Sequence, residues 1–283
     1  LQMGRPIGQT PGEVGGFEAR ARHMIAIAAR ALVDIHPEPI AGFNRFMRRE
    51  PLGVVLVVAP WNYPLLTAVN AVVPALMAGN AVVLKPSAQT PLAGERIAEA
   101  LNGAGLPDGR LQCVHPDHAG TQALIKSSQV DGVCFTGSVA GGAAVEAAAA
   151  GRFIHVGLEL GGNDPAYVRA DAKLDAAVET LVDGAFYNSG QSCCGIQRIY
   201  VERSNYAEFV DAHEWKFRWL LRAQRLLPRL PARVQRALIR TAGGKRFVDW
   251  AFGHYLRIAP PSYAREHAPR RGDREPSRLG AAA

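Results

Sequence analysis

The segment "LGVVLVVAPWNYPLLTAVNAVVPALMAGNAVVLKPS", residues 52–87, contains the pattern that decides the fold. Residues 52–59 and 80–85 are short apolar runs rich in valine, and a proline follows each of them. Such runs are typical of strands buried on both faces. The stretch 64–79 between them ends at Gly79 and predicts a helix. A strand, a helix and a second strand in this order predict two neighbouring parallel strands.

The same alternation continues in both directions along the chain. Further strands are predicted over residues 109–116, 130–138 and 153–162, and further helices over 17–34, 90–105, 118–128 and 141–152. Thr90 is the predicted N-cap of its helix, with Pro91 in the first turn. Five alternations predict an α/β fold with a doubly wound, mostly parallel sheet. Ligands of such sheets bind at the carboxyl ends of the strands.

Composition places the chain among ordinary soluble proteins. Of its 283 residues, 48% are hydrophobic and 20% are charged, and no apolar run approaches the length of about 18 residues that a membrane helix needs. The four cysteines lack the spacing of a metal site, and the adjacent pair Cys193 and Cys194 would close a strained disulfide. These features predict a reducing compartment, and hence a cytoplasmic protein that does not associate with membranes.

The net charge of +7 is unevenly distributed. Residues 213–283 hold 16 Lys and Arg against 5 Asp and Glu, whereas residues 1–212 hold 16 against 20. The basic character therefore belongs to one segment, and nucleic acid is not expected as a partner of the whole protein.

Five segments carry a family resemblance. They are "APWNYPL", "VVLKPSAQTP", "FTGSVAGG", "LELGGNDP" and "GQSCC". Their order resembles that in the aldehyde dehydrogenase family. The spacing is also similar, with 23 residues from Asn62 to Lys85 and 34 from Glu159 to Cys193. The resemblance implies an oxidoreductase that oxidises a small aldehyde to a carboxylic acid.

The resemblance also implies the catalytic residues. Cys193 corresponds to the nucleophile, whose thiolate adds to the aldehyde carbonyl. Asn62 corresponds to the donor that stabilises the resulting oxyanion, together with the backbone N–H of Cys193. Glu159 corresponds to the general base for thioester hydrolysis, and its neighbours Leu158 and Leu160 predict a partly desolvated carboxylate with a raised pKa. By residue type alone, each of the three could equally be structural: a buried cysteine, a turn asparagine and a strand-end glutamate.

NAD or NADP is the implied cofactor. The residues that the resemblance assigns to its cleft are Trp61, Lys85, Ser87, Gly137, Ser138 and Leu160. A lysine ammonium can bind ribose hydroxyls, and a glycine-rich helix start favours a pyrophosphate.

Two departures from the family pattern concern the adenosine end of the cleft. Ala88 replaces a glutamate that commonly holds the ribose and repels a 2′-phosphate, which leaves NAD and NADP both open. The loop 114–120, "VHPDHAG", replaces a glycine-rich loop, and His115 and His118 are interpreted as loop residues; no metal site is predicted.

The family pattern predicts three regions. Residues 1–158 correspond to the NAD(P)-binding domain, within which residues 35–52 resemble part of an oligomerisation hairpin. Residues 159–212 correspond to the start of the catalytic domain. Residues 213–283 resemble no part of the family and are predicted to be partly disordered.

The match to the family is expected to be incomplete at both ends. The basic continuation is what a frame change in a GC-rich gene, or a gene fusion, would produce. Homo-oligomerisation stays open. The alternative to catalysis is an inactive dinucleotide-binding fragment or fusion whose basic tail contacts an acidic partner or a membrane surface.

Overall fold

The computed structural model describes residues 2–211, which contain seven strands and six α-helices. The strands are β1 Val54–Val58, β2 Ala81–Lys85, β3 Leu111–Cys113, β4 Gly132–Thr136, β5 His155–Glu159, β6 Asp164–Val168 and β7 Ile196–Val201. The helices are α1 Thr10–Ala31, α2 Val69–Met77, α3 Pro91–Gly103, α4 His118–Lys126, α5 Val139–Ala149 and α6 Leu174–Phe186. The predicted basic segment 213–283 lies outside the described residues.

The first five strands form one fully parallel sheet in the order β3-β2-β1-β4-β5. The chain winds outward from β1 to β3 and then returns to the other side of β1 for β4 and β5. The junction between β1 and β4 is therefore the topological switch point, where such sheets bind ligands. This confirms the predicted α/β class and the parallel sheet.

Helices cover both faces of the sheet. Alternate residues of β1 point to opposite faces, so each face contributes to a core of its own. Val55 and Val57 pack in one core with residues of α2 and α3. Leu56 and Val58 pack in a second core with residues of α4 and α5. The continuous apolar run of β1 thus supplies both cores, which is why the strand is apolar at every position.

Three local predictions differ in detail from the structure. Helix α1 begins at Thr10 rather than residue 17 because Pro11 opens it. Thr90 occupies the N-cap position of α3, but its side chain makes no cap hydrogen bond and its buried Oγ1 has no partner among the described residues. The hairpin at 35–52 consists of two isolated antiparallel bridges, Ile35–Met47 and Ile40–Phe43, rather than strands.

After β5 the chain builds a second unit from β6, α6 and β7, with β6 and β7 paired in parallel. Its small core contains Val168, Val178, Leu181 and Phe209. Within residues 2–211, none of the helices is long and apolar enough to cross a membrane.

Candidate active site

The strand register aligns the carboxyl ends of four strands. Val58 of β1 lies opposite Lys85 of β2 on one side and opposite Phe135 of β4 on the other. Thr136 of β4 pairs in turn with Glu159 of β5. With neighbouring strands about 4.8 Å apart, Lys85 and the end of β4 lie roughly 10 Å from each other along this edge.

Lys85 is the last residue of β2, and its side chain is buried. Its Nζ donates a hydrogen bond to the carbonyl of Pro86 at 3.1 Å. Burial lowers the pKa of Lys85, because removal from water disfavours the ammonium. Ser87, two residues later, accepts the N–H of Gln89 at 3.2 Å and so shapes the turn before α3.

The turn from β4 into α5 presents a helix N-terminus at the same edge. Ser138 caps α5 by accepting the N–H of Gly141 at 3.1 Å. The first intrahelical bond runs from the N–H of Gly142 to the carbonyl of Ser138, so the N–H groups of Val139 and Ala140 precede the helical ladder. Such groups are suited to bind an anion.

Glycines in this turn permit close packing. A Cβ on Gly137 would lie 2.6 Å from the Cζ of Phe135, and a Cβ on Gly142 would lie 2.5 Å from the Cδ2 of Leu160. Leu160 therefore contacts the first turn of α5. Trp61, in the turn after β1, is 36% exposed.

Cys193 lies in the loop between α6 and β7, and its side chain is exposed. Partial burial raises the pKa of the Cys193 thiol, and the adjacent Cys194 raises it further, whereas hydrogen bonds from the backbone N–H groups of both cysteines lower it. The Oγ of Ser192 lies 3.2 Å from the Sγ of Cys194. A Cβ on Gly162 would lie 2.3 Å from the carbonyl oxygen of Cys193, so the "LELGG" and "GQSCC" segments touch at their backbones.

Asn62 joins the turn after β1 to the cysteine loop. Its Nδ2 donates to the carbonyl of Gln191 at 3.0 Å, two residues before Cys193. Its Oδ1 accepts the N–H of Tyr63 at 3.1 Å. One hydrogen of the Nδ2 amide is therefore used within the protein, and an amide group carries a second hydrogen that can be donated.

Glu159 corrects one expectation. The residue is exposed at the end of the edge strand β5, so the predicted desolvation between Leu158 and Leu160 does not occur. The physical reason is its place at the edge of the sheet, where no described element covers its side chain.

A cleft of about 1000 Å³ brings some of these residues together. Glu159, Leu160, Cys193 and Cys194 line it, together with Tyr63 next to Asn62. The residues assigned to the cofactor at the ends of β2 and β4, namely Lys85, Ser87, Gly137 and Ser138, lie outside this cleft along the carboxyl edge of the sheet.

Three buried polar residues beside the cleft are not indicated by any sequence motif. Arg5 and Glu13 form a buried ion pair, and Asn188 is fully buried within the cysteine loop. Arg5 also lies over the ring of Tyr63, 4.6 Å from its centroid. Arg5 precedes helix α1 and Glu13 lies in its first turn, and neither position carries a local sign of burial in the sequence.

The fold consists of an α/β unit with a five-stranded parallel sheet, followed by a smaller unit with two parallel strands. The family model described as the aldehyde dehydrogenase family matches residues 1–222. The chain belongs to this family.

The chain is similar in sequence to named aldehyde dehydrogenases and similar in fold to a solved one. The chain is 42% identical over 211 residues to the betaine aldehyde dehydrogenase of Agrobacterium fabrum, covering 75% of this chain and 43% of that protein. It is 41% identical over 212 residues to the 3,6-anhydro-alpha-L-galactose dehydrogenase of Streptomyces coelicolor, covering 74% and 43%. The crystal structure of an NAD-dependent aldehyde dehydrogenase from Sinorhizobium meliloti matches with a TM-score of 0.71 and 36% identity, covering 75% of this chain and 43% of that one. The chain therefore spans less than half the length of these relatives.

Proposed function

We propose that the protein oxidises an aldehyde to a carboxylic acid with NAD(P)+, using Cys193 as the nucleophile. The observation that carries this proposal is the meeting of two segments distant in sequence. The exposed thiol of Cys193 shares a cleft with Glu159, and the loop before it is hydrogen-bonded to the side chain of Asn62.

In the proposed reaction the exposed Cys193 thiol loses its proton to solvent water, and the thiolate sulfur forms a bond to the carbonyl carbon. The carbonyl oxygen gains negative charge, which the second N–H of the Asn62 amide and the backbone N–H of Cys193 stabilise. An oxidised nicotinamide, held by the residues of the proposed cofactor cleft, would accept the hydride from this carbon. Glu159 then removes a proton from a water molecule, which attacks the thioester carbon and releases the acid and the thiol.

The residues at the carboxyl edge fit a dinucleotide. Lys85 offers a buried ammonium to the ribose hydroxyls, and the start of α5 at Ser138 offers unpaired N–H groups to the pyrophosphate. Gly137 has no Cβ, so no side chain at this position blocks access to the N-terminus of α5. Ser87, Trp61 and Leu160 complete the proposed walls of the cofactor cleft.

The relative from Sinorhizobium meliloti is named NAD-dependent, and Ala88 removes the carboxylate that would repel a 2′-phosphate, so both cofactors remain candidates.

Domain organisation and partners complete the proposal. Residues 1–158 form the NAD(P)-binding domain and 159–212 begin the catalytic domain. The substrate is a small aldehyde, and the site of action is the cytoplasm.

The hairpin at 35–52 exposes Phe43 to 71% and Met47 to 56%, which favours a homo-oligomer through this hairpin.

The test is NADH and NADPH formation by the full chain with short and aromatic aldehydes, beside Cys193→Ala and Cys194→Ala. The second variant is a matched control, because both thiols are exposed in the same loop. We expect Cys193→Ala to abolish turnover and Cys194→Ala to retain it. Loss of turnover in Cys194→Ala but not in Cys193→Ala would contradict the proposal and identify Cys194 as the nucleophile.

A non-catalytic dinucleotide-binding module is the second candidate. Two observations favour it: the side chain of Glu159 is exposed, and the pKa of the Cys193 thiol is raised, which lowers the fraction of thiolate at neutral pH. This candidate predicts NAD(P) binding by calorimetry without turnover. It also predicts that removal of residues 213–283 abolishes any salt-sensitive association.

A further inference from the structure

A buried arginine connects three separate segments of the chain. The Nε of Arg5 donates to the Oδ1 of Asn188 at 2.7 Å, and its Nη2 donates to the carbonyl of Asn62 at 3.1 Å. Its Nη1 is paired with Glu13. Because the guanidinium is planar and its donors are fixed in a fork, these bonds set the relative positions of their partners.

Glu13 extends the same network to the turn after β1. Its Oε1 accepts the N–H groups of Leu65 at 2.9 Å and Leu66 at 3.2 Å. Both residues immediately follow the "WNYP" turn that contains Asn62. The ion pair therefore anchors this turn from two sides.

Asn188 fixes the cysteine loop to the same turn. Its Nδ2 donates to the carbonyls of Asn62 and Gln191, each at 3.1 Å, and its own N–H donates to the Oε1 of Gln9 at 3.1 Å. The residue has no exposed surface and adopts a left-handed conformation, with φ of 56° and ψ of 33°. Asparagine tolerates this region better than most residues, so the sequence suits the bend.

We propose that Arg5 and Asn188 are positioning residues, which hold the turn 60–64 and the loop 187–192 at a fixed separation. The carbonyl of Asn62 accepts from both of them, and the carbonyl of Gln191 accepts from the side chains of both asparagines. Neither segment can move relative to the other without breaking several buried hydrogen bonds. The inference rests on the proposed function, because the separation matters for catalysis only if Asn62 and Cys193 act on one carbonyl group.

Asn188→Asp is the decisive variant. It keeps the oxygen that accepts from Arg5 but replaces the donating NH₂ by an oxygen facing two carbonyl oxygens. Asn80→Asp is its matched control, since the buried Asn80 also accepts one bond, from Gly53 at 3.0 Å, and donates one, to Ala75 at 2.9 Å. Asn80 precedes β2, at the amino end of the sheet. It lines the same cleft, but its side chain is hydrogen-bonded to Gly53 and Ala75 and not to the turn 60–64 or the loop 187–192.

Two measurements on the full chain test the proposal: steady-state kinetics with aldehyde and cofactor, and amide hydrogen exchange of peptides covering 60–66 and 187–195. For Asn188→Asp we expect kcat to fall on the order of 100-fold with little change in KM, because displacement by about 1 Å costs this much. Exchange should accelerate in both peptides. Asn80→Asp should leave both measurements near those of the unsubstituted chain.

Arg5→Lys supplies a second variant that keeps the charge but loses the fork. It should accelerate exchange in the same two peptides and lower kcat. Equal losses of kcat in Asn188→Asp and Asn80→Asp, or unchanged exchange at 60–66 in Asn188→Asp, would overturn the proposal. If the unsubstituted chain turns over no aldehyde, the proposed function fails for this chain, and the exchange measurement alone decides whether the two residues position the loops.

Discussion

Replacing Gly162 by alanine should displace Cys193, the proposed nucleophile, without changing any polar group. The added Cβ would lie 2.3 Å from the carbonyl oxygen of Cys193, whereas ordinary contact begins at 3.4 Å. One of the two backbones must therefore move by about 1.1 Å, because neither contacting atom belongs to a flexible side chain. The Oδ1 of Asp164 lies 3.0 Å from the same Cβ and is a second tight contact.

A displacement of this size corresponds to a loss of about 100-fold in turnover, or about 2.7 kcal/mol in the activation free energy. The assay is the initial rate of NAD(P)H formation with a saturating aldehyde. The rate at which iodoacetamide alkylates Cys193, followed by peptide mass spectrometry, gives a second readout that does not depend on turnover.

Gly161→Ala is the control for this prediction. A Cβ on Gly161 meets no atom within 4 Å, and the two glycines are adjacent in the same loop. We expect Gly161→Ala to retain the turnover and the alkylation rate of the unsubstituted chain. If the two variants behaved alike in both readouts, the steric argument would be refuted.

Three further predictions concern Lys85, Cys193 and Thr90. Lys85→Met should weaken NAD(P) binding in calorimetry by roughly 10- to 100-fold, which is the value of a hydrogen bond from a charged group. It should not lower the thermal midpoint of unfolding, because burial disfavours the ammonium. A decrease in thermal stability that accompanies the loss of binding would contradict this prediction. The pKa of the Cys193 thiol is raised, so the pH at which its iodoacetamide alkylation rate reaches half of the plateau should lie above about 8.5, where an ordinary cysteine is half ionised, and a half-maximal pH at or below that value would disprove this. Thr90→Val should raise the free energy of unfolding by about 1 kcal/mol in urea titration, because the buried Oγ1 has no partner among the described residues. Thr121→Val, which removes a 2.7 Å bond to the carbonyl of Asp117, should lower it by a similar amount, and equal effects of the two substitutions would argue against this account.

Much of the fold was predictable because its signals are local. The runs that became β1 and β2 are apolar at nearly every position, as strands covered on both faces must be, and Gly79 marks the end of the intervening helix. The motif order also identified the family. The first residue of α1 and the capping hydrogen bond of α3 were less predictable. Each depends on the backbone conformation of one residue, Pro11 or Thr90, rather than on a periodic pattern.

The sequence by itself determined the order of the first five strands and of the helices between them, since periodicity and β-branched composition are properties of adjacent residues. Only the tertiary structure decided which polar groups are buried. Arg5 and Asn188 are 183 residues apart and look like ordinary surface residues in the sequence, yet both are buried against each other, whereas Glu159 between two leucines is exposed. Burial depends on which distant segments pack together in three dimensions, and no local sequence pattern carries that information.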